Sequence, residues 1–279
     1  MAAFLDTLAA DGKLLWLDYT AYAGKLLANN KIPWLDVTNF ISWQRKAQGL
    51  LKADVVPVPL APLIEAWLAA HPELAKAMGE KKRALFPLKA LLADAALRAH
   101  LVDLLGSLRS SFGKLPMALV LPSPRRWIAL AYAQANGSAD GIDIGADEVD
   151  SASVYVADFL RAFGEIGINA LLLEEAADNQ PSVAELEWYQ PVINVAAHYR
   201  WDVGLRLPGA AADLGKGGGL GFVIATAPIA GVPTGVAAAP AFWTGAAAPA
   251  CPAGGFRFAE VPADANPEKV LDLLGALRS

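Results

Sequence analysis

The chain has 279 residues, 55% of them hydrophobic and 18% charged, with a mean hydropathy of +0.35, a net charge of −5 and a pI near 5.3. Its length suits one α/β barrel of roughly 250 residues with a large core. The acidic balance gives no electrostatic reason to expect a nucleic acid or an anionic membrane as partner, and the lone Cys251 excludes an internal disulfide and fits a reducing cytoplasm.

Residues 1–13 carry Asp6 and Asp11 and lack a basic region ahead of an apolar block, so no secretory signal is expected there. Residues 3–28 read as helical or mixed, with Trp16, Tyr19 and Tyr22 at helix-like spacing. A first strand is expected at 32–35, followed by a helix capped by Asp36, Thr38 or Asn39 and running to Leu51. Asp36 would then sit just past a strand end, where barrel enzymes place catalytic groups.

The valine-rich run 53–58 reads as a second strand, and Pro57, Pro59 and Pro62 steer the chain into a helix from Leu63. Residues 72–108 read as a long helical region broken near Pro87. A third strand at 115–121 leads through Pro122-Ser123-Pro124 into Arg125, Arg126 and a helix to Ala135. After a turn-rich segment at 137–145, Val149, Ala152, Val156, Phe159, Leu160 and Phe163 recur on one helical face. That helix feeds the strand 167–175, an apolar run ending on Glu174 and Glu175.

Residues 182–199 read as helical with a restart at Pro191, and further strands are expected at 201–207, 220–226, 234–239 and 256–261. A last helix begins with Asn266 as cap and Pro267 at its first position. Between residues 217 and 256 no charge occurs, a length that suggests a membrane span, but five prolines and nine glycines break any such helix. Eight strands alternating with helices point to a single-domain (β/α)8 barrel with short or missing helices in its C-terminal third. A doubly wound open sheet is the alternative.

In a barrel the carboxyl ends of the strands carry the chemistry. Glu174 and Glu175 are therefore candidates for a general acid or base, and in an extended strand they face opposite sides. Arg125 and Arg126, at a helix start, suit a substrate carboxylate or phosphate. Arg206 lies inside an apolar strand and needs a carboxylate partner, with Glu174 or Glu175 nearest. Ser123 and Trp243 complete the candidate substrate-binding set. The histidines 71, 100 and 198 read as structural. With neither an HExxH motif nor paired cysteines, no metal site is expected, and no cofactor is assigned. The glycine run 215–221 precedes a strand instead of opening a helix, which makes it a flexible loop or lid and not a nucleotide fingerprint.

The segment Leu121-Pro122-Ser123-Pro124 resembles the Gly-Pro turn after a barrel strand in the uroporphyrinogen decarboxylase and cobalamin-independent methionine synthase superfamily. Gly167 to Ala176 resembles that superfamily's strand ending in Asp-Glu-Pro, with Glu174 and Glu175 at the acidic positions. The resemblance implies a barrel enzyme acting on a small carboxylated substrate. Where the methionine synthase branch holds zinc, this chain has Val203-Gly204-Leu205-Arg206, which disfavours thiol activation.

The decarboxylase branch uses arginines and an acid without metal, matching Arg125, Arg126 and Asp36 better. The leading expectation is a metal-independent lyase that decarboxylates or cleaves such a substrate, with Arg125 or Arg126 holding the carboxylate and Glu175 moving the proton. A methyltransferase using a folate or corrinoid donor and a non-catalytic ligand-binding barrel are the alternatives. Trp188 and Trp243, if exposed, are compatible with a homodimer.

Overall fold

The computed structural model describes residues 4, 14–179, 181–209, 214 and 217–278. Eight parallel strands form one sheet that nearly closes into a barrel: β1 (Leu15–Asp18), β2 (Val56–Pro59), β3 (Met117–Pro122), β4 (Ala170–Glu174), β5 (Asp202–Arg206), β6 (Phe222–Ala225), β7 (Thr234–Ala237) and β8 (Phe256–Glu260). The order runs β1-β8-β7-β6-β5-β4-β3-β2, so that β2 to β8 lie beside their sequence neighbours and β1 pairs with β8. This is an α/β barrel of the (β/α)8 type.

Helices cover the first two thirds of the chain. They are α1 (Thr20–Ala28), α2 (Val37–Leu51), α3 (Leu60–Ala70), α4 (Pro72–Met78), α5 (Phe86–Leu92), α6 (Ala95–Phe112), α7 (Pro124–Asn136), α8 (Ala146–Arg161), α9 (Val183–Glu187), α10 (Gln190–Tyr199) and α11 (Pro267–Arg278). The region 72–108 is three helices and not one broken helix. Pro87 sits in the first turn of α5, where its missing N–H costs nothing, and Asp94 caps α6 by accepting from the Leu97 amide. Among the described residues no α-helix follows β5, β6 or β7 directly; only 3-10 turns at Gly217–Gly219 and Pro240–Thr244 intervene. Among the described residues no helix is long and apolar enough to cross a membrane, and the uncharged stretch 217–256 is spent on β6, β7 and their loops.

The first strand is displaced from its expected place. Residues 32–35 are irregular, and the strand is Leu15–Asp18, inside the region read as helical. The aromatic spacing of Trp16, Tyr19 and Tyr22 mimics a helix because it spans a strand, a turn and the start of α1. Leu15 and Leu17 face the helix layer while Trp16 and Asp18 face the barrel, the alternation that a strand imposes.

The same alternation sorts the other strands. Leu119, Leu121, Leu171 and Leu173 pack outward under the helices, and Ala118, Val120, Ala170 and Leu172 fill the interior. That interior is unusually aromatic, with Trp16 stacked on Phe256 at 6.2 Å between ring centres and Phe222 within 5.8 Å of both. Space for these rings comes from two glycines. Gly204 lies beside Phe222 and Gly235 beside Phe256 in the register, and a Cβ would sit 2.1 Å and 2.4 Å from the respective rings.

Closure between the edge strands β1 and β2 runs through Asp54. Its amide donates to the Leu15 carbonyl at 3.2 Å and its Oδ2 accepts from the Leu15 amide at 2.8 Å. One carboxylate thus substitutes for a strand carbonyl at the seam.

Glycine substitutions separate the two environments. Gly204→Ala is expected to destabilise by about 1–3 kcal/mol or more, because the Phe222 ring must move within a closed barrel. Gly106→Ala in α6, where an added Cβ meets nothing within 4 Å, is expected to stabilise by about 0.4–1 kcal/mol. Urea unfolding of the two variants measures both; equal shifts would refute this account of the core.

Candidate active site

The carboxyl ends of the strands bring five charged side chains to the barrel mouth. In the register Glu174 of β4 lies beside Arg206 of β5, and Asp18 of β1 beside Glu260 of β8, so all four project from the last layer of the barrel. Arg206 crosses the opening. Its Nη1 donates to Glu174 Oε1 at 2.8 Å and lies 3.7 Å from Asp18 Oδ2, while Nη2 donates to Glu260 Oε2 at 2.5 Å. Its guanidinium also rests 4.8 Å above the Phe258 ring, a cation–π contact with the barrel floor. Arg126, in the first turn of α7, approaches Glu174 Oε2 at 3.5 Å and the Glu175 carbonyl at 3.4 Å.

These groups line a cavity of about 480 Å³ whose remaining walls are largely apolar: Trp16, Ile32, Trp34, Leu172, Phe258 and a row of prolines including Pro57 and Pro59. Larger hollows of about 910 Å³ and 1040 Å³ lie between α2 and α6 and at the opposite end of the barrel. Both also carry charged side chains, but neither lies at the carboxyl ends of the strands, so position and not size makes the mouth the candidate site.

The Asp18 carboxyl is shifted by this setting, although 32% of its side chain is exposed. Burial raises its carboxyl above the usual aspartate range; Arg206 and the Thr20 amide pull it down, and Glu174 and Glu260 push it further up. The Thr20 amide, at the start of α1, donates to Asp18 Oδ1 at 3.2 Å. For Arg206, burial opposes the charged form, but Glu174, Asp18 and Glu260 outweigh it and raise the group overall. Counting Asp18, Glu174 and Glu260 against Arg126 and Arg206 leaves one negative charge in excess, the charge that a proton on Asp18 removes.

Of the residues singled out from the sequence, Glu174, Arg126 and Arg206 converge on the mouth. The others do not line it. Glu175 points to the far side of β4, as the strand's alternation requires, and is 2% exposed; it accepts from the Tyr189 hydroxyl and, at 2.9 Å, from Asn179 Nδ2. Burial and the Glu175 charge together push the Tyr189 hydroxyl upward, so it remains a donor. Asp36 caps α2, accepting from the Asn39 amide at 3.0 Å.

Ser123 is buried as the cap of α7. Arg125 turns outward to Glu185 at 3.2 Å and to the Ile144 carbonyl at 2.9 Å, with Trp188 under it at 5.8 Å. Trp243 lies in a 3-10 turn, 9% exposed and packed on Phe242, and is not among the residues lining the mouth cavity. The glycines expected to form a lid fall partly outside the described residues (Gly215 and Lys216), and Gly219 and Gly221 line the hollow at the opposite end of the barrel.

Two mouth residues escaped the sequence reading. Asp18 ends a run, Leu14-Leu15-Trp16-Leu17-Asp18, that has the same form as the run ending on Glu174, and this was the usable signal. Glu260 sat at the end of an expected strand without a reason to prefer it until Arg206 was seen to reach it. Among the described residues no group of three His, Cys, Asp or Glu side chains is placed to hold a metal ion.

No protein-family model, curated protein or solved structure matches the chain. The arrangement of the mouth therefore carries the functional argument alone.

Two measurements test the electrostatics. Arg206→Leu is expected to destabilise the fold by about 3–5 kcal/mol, since it leaves the mouth carboxylates facing one another; no change in the urea midpoint would refute the bridging role. The folded chain holds the Asp18 proton to higher pH than the unfolded chain, so folding is favoured in acid and loses stability as pH rises through the raised folded value. Asp18→Asn lacks that loss. Its stability relative to the parent chain is expected to grow as pH rises above the usual aspartate range, and a difference flat with pH would contradict the raised Asp18 carboxyl.

Proposed function

We propose that the chain is a barrel enzyme that decarboxylates or cleaves a small carboxylated substrate by acid–base chemistry at the mouth. The observation that carries this reading is the pairing, within one small and largely apolar cavity, of a protonatable carboxyl, Asp18, with arginines held in place by ionised acids. Asp18 replaces Glu175 as the group that moves the proton, because Glu175 faces away from the cavity.

In this reading Arg126 anchors an acid group of the substrate. It suits the task better than Arg206, because its contact with Glu174 is long and 32% of its side chain is exposed. The substrate's own electron-withdrawing group accepts the electron pair left on carbon as the bond to the departing carboxylate breaks. Asp18 then gives its proton to that carbon, carbon dioxide leaves, and Asp18 regains a proton from water. The apolar floor favours loss of a desolvated carboxylate. Glu174 and Glu260 act by holding Arg206, which fixes the distance between the acid and the anion-binding side of the cavity. Kinship with the uroporphyrinogen decarboxylase and methionine synthase-like superfamily is part of the proposal and rests on the short segments around Ser123 and Glu174. A cytoplasmic setting is part of the same proposal, supported by the single cysteine.

The test is carbon dioxide release from a panel of 3-oxo acids and aryl carboxylic acids, run in D2O so that the proton delivered to carbon is read as deuterium by NMR. Asp18→Asn is expected to lower turnover by about 10²–10⁴-fold, and Arg126→Gln to raise KM with a smaller effect on kcat. Both variants turning over at the parent rate would refute the assignment. Binding of the panel without any product would move the reading to a ligand-binding barrel.

A further inference from the structure

Residues 29–36 join α1 to α2 and supply one wall of the mouth cavity through Asn30, Ile32 and Trp34. The segment leaves α1 through Asn29 and Asn30, both in the left-handed region at φ 48° and 62°, and ends where Asp36 caps α2. Its backbone bonds are short-range: the Lys31 amide to Ala28 at 2.8 Å, Trp34 to Ile32 at 2.9 Å and Asp36 to Pro33 at 3.1 Å. These bonds, and that of the Asn30 amide to Gly24 at 2.9 Å, reach no further than the preceding helix α1. The Trp34 ring packs on Phe40 and Trp43, 5.1 Å and 6.2 Å away, but both belong to α2, the next element in the chain. Leu35, beside Trp34, is 40% exposed.

The tie across to another part of the molecule comes from α6. His100 Nε2 lies 2.9 Å from the Trp34 carbonyl, and because a carbonyl only accepts, Nε2 carries the proton. An imidazolium keeps a proton there too, so this contact survives in either charge state and is not a pH switch. The ring is held in place by stacking: His100 lies 5.2 Å from Trp67 at 30°, and Trp67 lies 4.1 Å from His71 at 18°. Trp67 is 7% exposed and its indole nitrogen has no hydrogen-bond partner among the described residues, so ring contact sets its position there. The histidine–tryptophan–histidine column therefore orients His100 toward one outlet, the Trp34 carbonyl.

We propose that His100 is a positioning residue that latches Trp34 against the mouth, and that residues 29–36 are the part of the cavity wall that swings aside to admit substrate. The functional meaning rests on the mouth being the substrate site. The latch itself is testable without any substrate, so its failure and the failure of the acid–base reading are separate results.

Hydrogen exchange of the full chain, read by mass spectrometry, is the experiment. In the parent chain residues 29–36 should exchange as one unit, faster than β3 and β4. His100→Phe keeps a ring against Trp67 and removes the donor. It is expected to speed exchange at 29–36 by about tenfold and leave α3 and α6 unchanged, whereas His100→Gln, which retains an N–H donor, restores most of the protection. The proposal is overturned if 29–36 are as protected as β3 and β4 in the parent chain. It is also overturned if His100→Phe leaves them unchanged or loosens α3 and α6 equally, or if the Gln variant is as open as the Phe variant. Should the Phe variant not fold, His100→Leu, which also removes the donor, takes its place in the comparison with the parent chain and the Gln variant, with the same outcomes.

Discussion

The guanidinium of Arg206 spans the barrel mouth, and the placement of the other charges there depends on it. A cation carried by β5 reaches back to Glu174 on the neighbouring strand and across to Glu260 and Asp18 on β8 and β1. Without it, three carboxylates would face one another over an apolar floor, where repulsion is poorly screened. With it, the excess is a single negative charge, and the Glu174 and Glu260 charges add to burial, the larger cause, in raising the Asp18 carboxyl above its usual range. One interaction thus does two things: it braces strands distant in sequence, and it pulls down the Asp18 carboxyl that burial raises.

That brace works because the barrel beneath it leaves little freedom. The interior is filled by Trp16, Phe222 and Phe256, and Gly204 and Gly235 give those rings room. Arg206 stands two residues after Gly204 on the same face of β5, directly above this aromatic layer, and the Phe258 ring supports its guanidinium. Packing below and charge above are therefore coupled along single strands. A change in the aromatic layer would tilt the residues that present Asp18 and Arg206.

Glu174 and Glu175 show how local pattern divides roles between adjacent residues of the same chemistry. Alternation sends the first into the mouth and the second outward to Tyr189 and Asn179. The outward carboxylate is fully enclosed and meets neutral donors, which suits a residue that holds the turn after β4. Its backbone carbonyl also receives Arg126, so the two acids support one site from opposite sides of a strand.

The sequence by itself determined the barrel class and seven of its strands, because buried parallel strands are continuous apolar runs and the helices between them carry one-sided apolar faces and capping residues such as Asp36 and Asn266. It also selected Glu174, Arg126 and Arg206, since a charge at the end of or inside an apolar run must find a partner. Only the tertiary structure decided that the first strand is Leu15–Asp18, because aromatic spacing over a strand and a turn is indistinguishable from helical spacing until pairing with β8 is seen. Only closure of the sheet could bring Asp18 and Glu260 to Arg206. Those residues are more than 50 positions from it in the chain, and no local period records which side chains meet across a barrel mouth.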